Sequence, residues 1–116
     1  MADQPEPPFK VSRSAAIFQQ LRQWGERAKA LGIASEYAAA LRAIEEGLTR
    51  DPLDWGDPLY RVGSLHVVVC SRIFWNIKIL YAVHEEKRLV FLISYELVLH
   101  NPLLPRDDKL SGNGRV

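Results

Sequence analysis

Several things are scarce in this chain of 116 residues. It has a single cysteine, Cys70, so no internal disulfide can form, which fits a reducing compartment. It has no excess of charge: fifteen basic and fourteen acidic side chains leave a net charge of +1. The molecule as a whole therefore has no field to steer it onto nucleic acid or an anionic membrane, and any such role needs a local patch. No apolar run approaches the roughly 20 residues that span a bilayer. The first residues, Met-Ala-Asp-Gln-Pro-Glu-Pro-Pro, carry acids and prolines where a secretory signal needs basic and then apolar ones. The expected location is the cytoplasm, with no membrane partner. There is no phosphate-cradling glycine loop, no serine-histidine-aspartate arrangement and no zinc-finger spacing, so no cofactor and no metal is expected.

What is present is one domain's worth of ordinary globular sequence, 47% hydrophobic and 25% charged. Residues 1–8, rich in proline and acid, read as a flexible tail. Residues 9–100 read as a single domain, and 101–116 as a second flexible tail. Phe9-Lys10-Val11 is a short strand. Ser12 or Ser14 then caps a helix in which Ile17, Leu21, Trp24, Ala28 and Leu31 fall on one stripe. Gly32 ends it, and Ser35 is a candidate cap for a second helix with Tyr37, Leu41, Ile44 and Leu48 on its apolar side. The short link makes the two helices antiparallel neighbours. Asp51 to Pro58, dense in turn formers, is the joint between this helical half and the second half of the chain.

Beyond the joint lie three β-strand runs: Leu65–Cys70, Ile77–Val83 and Leu89–Tyr95. Two hairpin turns, near Phe74-Trp75-Asn76 and Glu85-Glu86-Lys87, join them. Strict alternation puts Leu65, Val67, Val69, Ile77, Ile79, Tyr81, Val83, Leu89, Phe91, Ile93 and Tyr95 on the face that receives the helices. The other face then has an apolar centre of Val68, Cys70, Leu80, Ala82, Val90 and Leu92. Arg72, Lys78, Ser94 and Glu96 stand at one end of it, and His66, His84 and Arg88 at the other. An apolar centre rimmed by charge on an uncovered sheet is a binding surface or a homodimer contact. His66 and His84 are a candidate acid–base pair. Cys70 reads as a small apolar residue, and Glu85-Glu86 as solvated charge. Trp24 reads as core, Trp55 as a plug in the joint, and Trp75 as an exposed anchor on a turn.

The order of strand, helix hairpin, Asp-Pro…Gly-Asp-Pro-Leu joint and meander resembles the RelE/ParE superfamily of toxins from type II toxin–antitoxin pairs. The stretch Lys78-Ile79-Leu80-Tyr81-Ala82-Val83-His84-Glu85-Glu86, followed by Leu89–Ile93, carries the resemblance most specifically. It implies an α+β fold with the short strand and helix hairpin packed on one face of a three-stranded antiparallel meander. It also implies an antitoxin partner that wraps the chain. The implied target is the ribosome, through messenger RNA cleavage, or DNA gyrase. Cleavage needs basic groups that hold phosphate and stabilise developing charge. The resemblance assigns that role to Lys78, at the position of the family's strand arginine, with Arg72 and Arg61 as the nearby basic residues. The chain departs from nucleolytic members at Val67-Val68-Val69-Cys70 and at Glu96–His100, where those members carry basic residues and a late tyrosine. A catalytically silent binding module on the same fold is the alternative reading.

Overall fold

A computed structural model describes residues 7–104. The expected tail segments 1–6 and 105–116 lie outside the described residues. The chain runs β1 (Lys10–Ser12), α1 (Ala15–Ala30), α2 (Ala34–Arg50), a one-turn α3 (Pro52–Trp55), β2 (Asp57–Val62), β3 (Val67–Phe74), β4 (Ile77–His84) and β5 (Leu89–Leu97). The strands form one sheet in the order β1-β5-β4-β3-β2, with β1 parallel to β5 and every other pair antiparallel.

The helices begin and end for local reasons. The Ser14 hydroxyl accepts the Ile17 amide at 3.1 Å and caps α1. Gly32, at φ +77°, occupies the left-handed position that ends it. Ser35 does not cap α2, which starts two residues earlier than a Ser35 cap requires, from Ile33 and without a side-chain cap. Ile17 and Ala28 on α1, with Tyr37, Ile44 and Leu48 on α2, are buried as their spacing requires. Leu31 lies past the end of α1 and is exposed. Each fully buried aliphatic side chain here contributes about 1.5–3 kcal/mol.

The sheet differs from the sequence expectation in two respects. There are five strands, because part of the joint is itself a strand. Asp57–Val62 pairs with β3 as the edge of the sheet, where Pro58 needs no ladder partner on its open side. The expected first strand, Leu65–Cys70, starts instead at Val67, since Gly63–Leu65 form a 3₁₀ turn that ends in a left-handed His66.

The second difference concerns faces. The hairpin between β3 and β4 turns on two residues, Trp75 and Asn76, both left-handed at φ 54° and 53°, the geometry of a type I′ turn. That turn sets Phe74 opposite Ile77, Arg72 opposite Ile79, Cys70 opposite Tyr81 and Val68 opposite Val83. Cys70 and Val68 therefore face the helices, while Val67 and Val69 face away. Between β4 and β5 the register shifts at Leu80 and Tyr81: Leu80 pairs with Ser94 but Tyr81 pairs with Leu92. Ile93 is the extra residue of a β-bulge, and it reverses the alternation. Val90 and Leu92 before it, and Tyr95 after it, all reach the helix-side core, whereas Leu89 and Phe91 pair with His84 and Ala82 of the other face. Strict alternation placed β4 and Tyr95 correctly and inverted β3 and the first half of β5.

The segment after β5 is packed. Asn101, buried at 4% exposure, donates from Nδ2 to the carbonyls of Trp75 (2.8 Å) and Asn76 (3.0 Å) and accepts the Leu103 amide at 2.8 Å. Leu103 is buried beside Ala28 and Tyr37, and its carbonyl accepts the Arg27 Nε–H at 2.7 Å. So Asn101–Leu104, expected as the start of a tail, closes over the first hairpin turn. Trp75, expected as an exposed anchor, is held there against Tyr37, with ring centroids 6.2 Å apart.

Two consequences are measurable. Asn101→Ala removes the partner of two turn carbonyls and should lower stability by about 2 kcal/mol in urea unfolding. Burial holds the Tyr37 and Tyr95 hydroxyls up at about 12, against 10.0 for a free tyrosine. Between those values the unfolded chain loses its tyrosine protons first, so stability should be full below pH 10 and fall as pH rises through 12. The slope should flatten in Tyr37→Phe or Tyr95→Phe.

Candidate functional site

The helix-side core draws Ile17 from α1, Ile44 and Leu48 from α2, and Leu53 and Trp55 from α3. The opposite face carries a cluster of strand residues only: Val67, Val69 and Ala82, with Val62 and Leu80 at its margin. Around that centre stand the exposed Tyr60, Ile73, Phe91 and Ile93. At one end Ile73, Lys78 and Glu96 form a cross-strand row. The apolar centre with a charged end is present, built from a different set of residues in β3 and β5.

The three basic residues singled out by sequence are not brought together. Lys78 is exposed on the open face, opposite Glu96. Arg72 lies on the other face, half-buried. Its Nη1 donates to the Trp55 carbonyl at 2.6 Å, and its guanidinium sits 4.7 Å from the Trp55 ring centroid and 5.7 Å from that of Phe74. A cation stacked and hydrogen-bonded in this way fixes the joint between α3 and the sheet. Gly47 on α2 makes room for it, because a β-carbon there would collide with the Trp55 indole. Arg61 pairs with Val68, four residues along β3 from Arg72, or about 13 Å at the rise of a strand.

The groups best placed for proton transfer by residue type divide in the same way. Cys70 and Tyr81 are completely buried on the helix side, and burial raises the pKa of both. Neither supplies a proton or a nucleophile to the surface near neutral pH. Cys70 is thus the small core residue its surroundings in sequence suggest, and it is separated from the histidines. Among the described residues no three His, Cys, Asp or Glu side chains are grouped to hold a metal ion.

The other end of the sheet is more crowded. His66, set by its left-handed backbone at φ 58°, brings its ring to 6.2 Å from that of His84 at the end of β4. Arg61, Gly63, His66, Glu85 and Glu86 line a cleft of about 370 Å³. Arg88, expected beside the histidines, instead donates to the Pro7 carbonyl at 2.6 Å and stacks on Phe9, 4.1 Å from its centroid. Sequence reading paired the histidines, but it grouped Arg61 with Lys78 and read Glu85-Glu86 as solvated charge, and so did not bring these three to the histidines. The available signal was that all five residues fall in the two loops, or at the strand ends beside them, that the meander places side by side.

No protein-family model matches the sequence, and no curated protein does. Among solved structures, a chain of the toxin–antitoxin complex RelBE2 from Mycobacterium tuberculosis superposes with a TM-score of 0.52 and 21% identity. The match covers 78% of this chain and 98% of that one. This chain has a RelE-type fold. Among the described residues the fold contains no helix long and apolar enough to cross a membrane.

In this RelE-type fold Arg72 has a structural task and Lys78 has none. Arg72→Ala should therefore lower stability by about 2 kcal/mol in denaturant unfolding, through the lost stacking and hydrogen bond. Lys78→Ala should change it by less than about 0.5 kcal/mol.

Proposed function

We propose that this chain is the toxin-type component of a toxin–antitoxin pair, held inactive by an antitoxin and acting in the cytoplasm on translation or on DNA gyrase. The observation that carries this reading is the shared fold with a chain of the RelBE2 complex. The open sheet face supports it: an apolar centre of Val67, Val69 and Ala82, ringed by Tyr60, Ile73, Phe91 and Ile93, offers a partner the kind of surface that interfaces use. An antitoxin segment is the proposed occupant, and a homodimer through the same face is the competing one.

The wide separation of Lys78, Arg72 and Arg61 favours a second reading. A phosphodiester held by several cations needs them converging within a few ångströms, and these three do not converge. On this reading the fold serves as a binding module without messenger RNA cleavage by those residues, and only Lys78 keeps a position on the open face from which it can touch a substrate.

Inducing the chain in bacteria and following growth separates the readings. Growth arrest, relieved by co-expression of an antitoxin-type protein from an adjacent reading frame, is the expected result. Continued growth with the soluble protein confirmed would count against a toxin. If arrest proceeds through Lys78, Lys78→Ala relieves it while leaving the fold intact; arrest that survives the substitution removes Lys78 from the mechanism.

A further inference from the structure

We infer that the crevice between α1 and α2, closed at its inner end by Tyr95, is a binding site for a small amphipathic carboxylate, a short apolar body with one negative charge at its end. The inference goes beyond the toxin reading and does not depend on it.

The crevice follows from the side chains on the two helices. Near their connection small residues let them meet: Ala28 and Ala40 are buried, and a β-carbon on Gly25 would lie 3.5 Å from the Tyr37 ring. The Tyr37 hydroxyl donates to the Leu21 carbonyl at 2.7 Å and ties the helices at that level. Farther from the connection the larger Phe18 and Leu21 on α1 and Leu41 on α2 line a cavity of about 270 Å³. Tyr95 of β5, itself buried, closes its inner end, and the Gln20 side chain donates to the Tyr95 carbonyl at 3.1 Å and holds α1 there. Apolar walls with a few convergent polar groups are what small-ligand pockets offer.

The charged groups of the lining are Arg13, Arg22 and Glu45, which leave it one net positive charge. Arg13, just ahead of α1, reaches α2, where its Nη2 donates to Glu45 Oε1 at 2.5 Å. That bond uses one N–H of the guanidinium. The Arg13 Nε is, among the described residues, the one buried side-chain nitrogen or oxygen without a hydrogen-bond partner. An unpaired buried donor costs free energy that an acceptor brought to it recovers, and a carboxylate is the acceptor that arginine pairs with most strongly. Exposed Arg22 supplies a second cation. The Tyr95 phenol, held up at about 12 by burial, feels Arg13 and Glu45 in opposite senses, so it lies in the field of that pair and stays a protonated donor near neutral pH. Size narrows the ligand further. At ~30 Å³ for each water-sized volume, 270 Å³ holds on the order of ten non-hydrogen atoms.

The test titrates heptanoate into the full chain, followed by calorimetry and thermal unfolding, with heptan-1-ol as the uncharged probe of equal length. Heptanoate should bind with a Kd on the order of 1 mM or below and raise the Tm, because a ligand of the folded state stabilises it. Heptan-1-ol should bind roughly tenfold more weakly or worse. Arg22→Gln should weaken heptanoate binding and Glu45→Gln should tighten it, opposite signs that a change in folding alone does not produce. Leu41→Trp, which fills the cavity, should abolish binding, and urea unfolding of each variant checks that the fold is kept. Equal affinity for the acid and the alcohol would overturn the carboxylate site. Binding unchanged in both Arg22→Gln and Leu41→Trp would put heptanoate elsewhere and overturn it as well. Absence of heptanoate binding, with Phe18 protected only when an antitoxin-type protein is added, would overturn it and assign the crevice to a protein partner. None of these outcomes turns on growth arrest, so the toxin reading stands or falls separately.

Discussion

The Tyr81 hydroxyl, completely buried, donates to the Pro52 carbonyl at 2.6 Å, and the rest of the molecule is arranged around that contact. It joins the central strand to the single turn of helix that ends the helical half. Its ring lies 6.1 Å from that of Trp55, which in turn lies 6.2 Å from Phe74 and carries the Arg72 guanidinium. A buried phenol with its donor satisfied contributes both apolar area and direction, and an unsatisfied one would cost about 1–3 kcal/mol. Gly56 and Gly47 are glycines for the same reason. A β-carbon on the first would collide with the Tyr81 hydroxyl, and one on the second with the Trp55 indole.

Around this joint the sheet becomes two-sided. The type I′ turn at Trp75-Asn76 and the bulge at Ile93 together choose which residues meet the helices. The turn alone places two consecutive non-glycine residues in the left-handed region, which carries a steric cost. The side chain of Asn101 offsets it by binding both turn carbonyls, and Leu103 and Arg27 hold that closure against α1. One consequence is that the helix-facing side around Tyr81 is fully committed to packing. Arg72, Cys70 and Tyr81 belong to it, so they are withdrawn from any site on the open face.

Charge is distributed accordingly. On the open side of the sheet the ionisable side chains stand at the ends, with Lys78 and Glu96 at one and Arg61, His66, Glu85 and Glu86 at the other. Between them runs an apolar surface of the kind that binds protein. The scaffold thus separates an apolar surface from a group of ionisable side chains by the length of a strand.

The amino-acid sequence by itself determined the α+β class, the presence of both helices and their buried stripes through the spacing of Ile17, Leu21, Trp24, Ala28 and of Tyr37, Leu41, Ile44, Leu48, and the position of both hairpin turns. These are local matters, decided by periodicity and by cap and turn residues within a few positions of each other. The resemblance carried by Lys78–Ile93 was legible for the same reason, because it too is a local pattern of strand, acidic turn and strand. Tertiary structure alone decided which face each strand shows. Alternation has a period of two, so one bulged residue, Ile93, inverts half a strand, and nothing in an apolar run such as Leu92-Ile93 marks where the extra residue falls. It also decided that Pro58 lies in an edge strand, because only strand order shows which side of a strand is free. Finally it separated Arg72 from Lys78 and brought Arg61 and His66 to Glu85, since pairing across a meander joins residues by register and not by their distance along the chain.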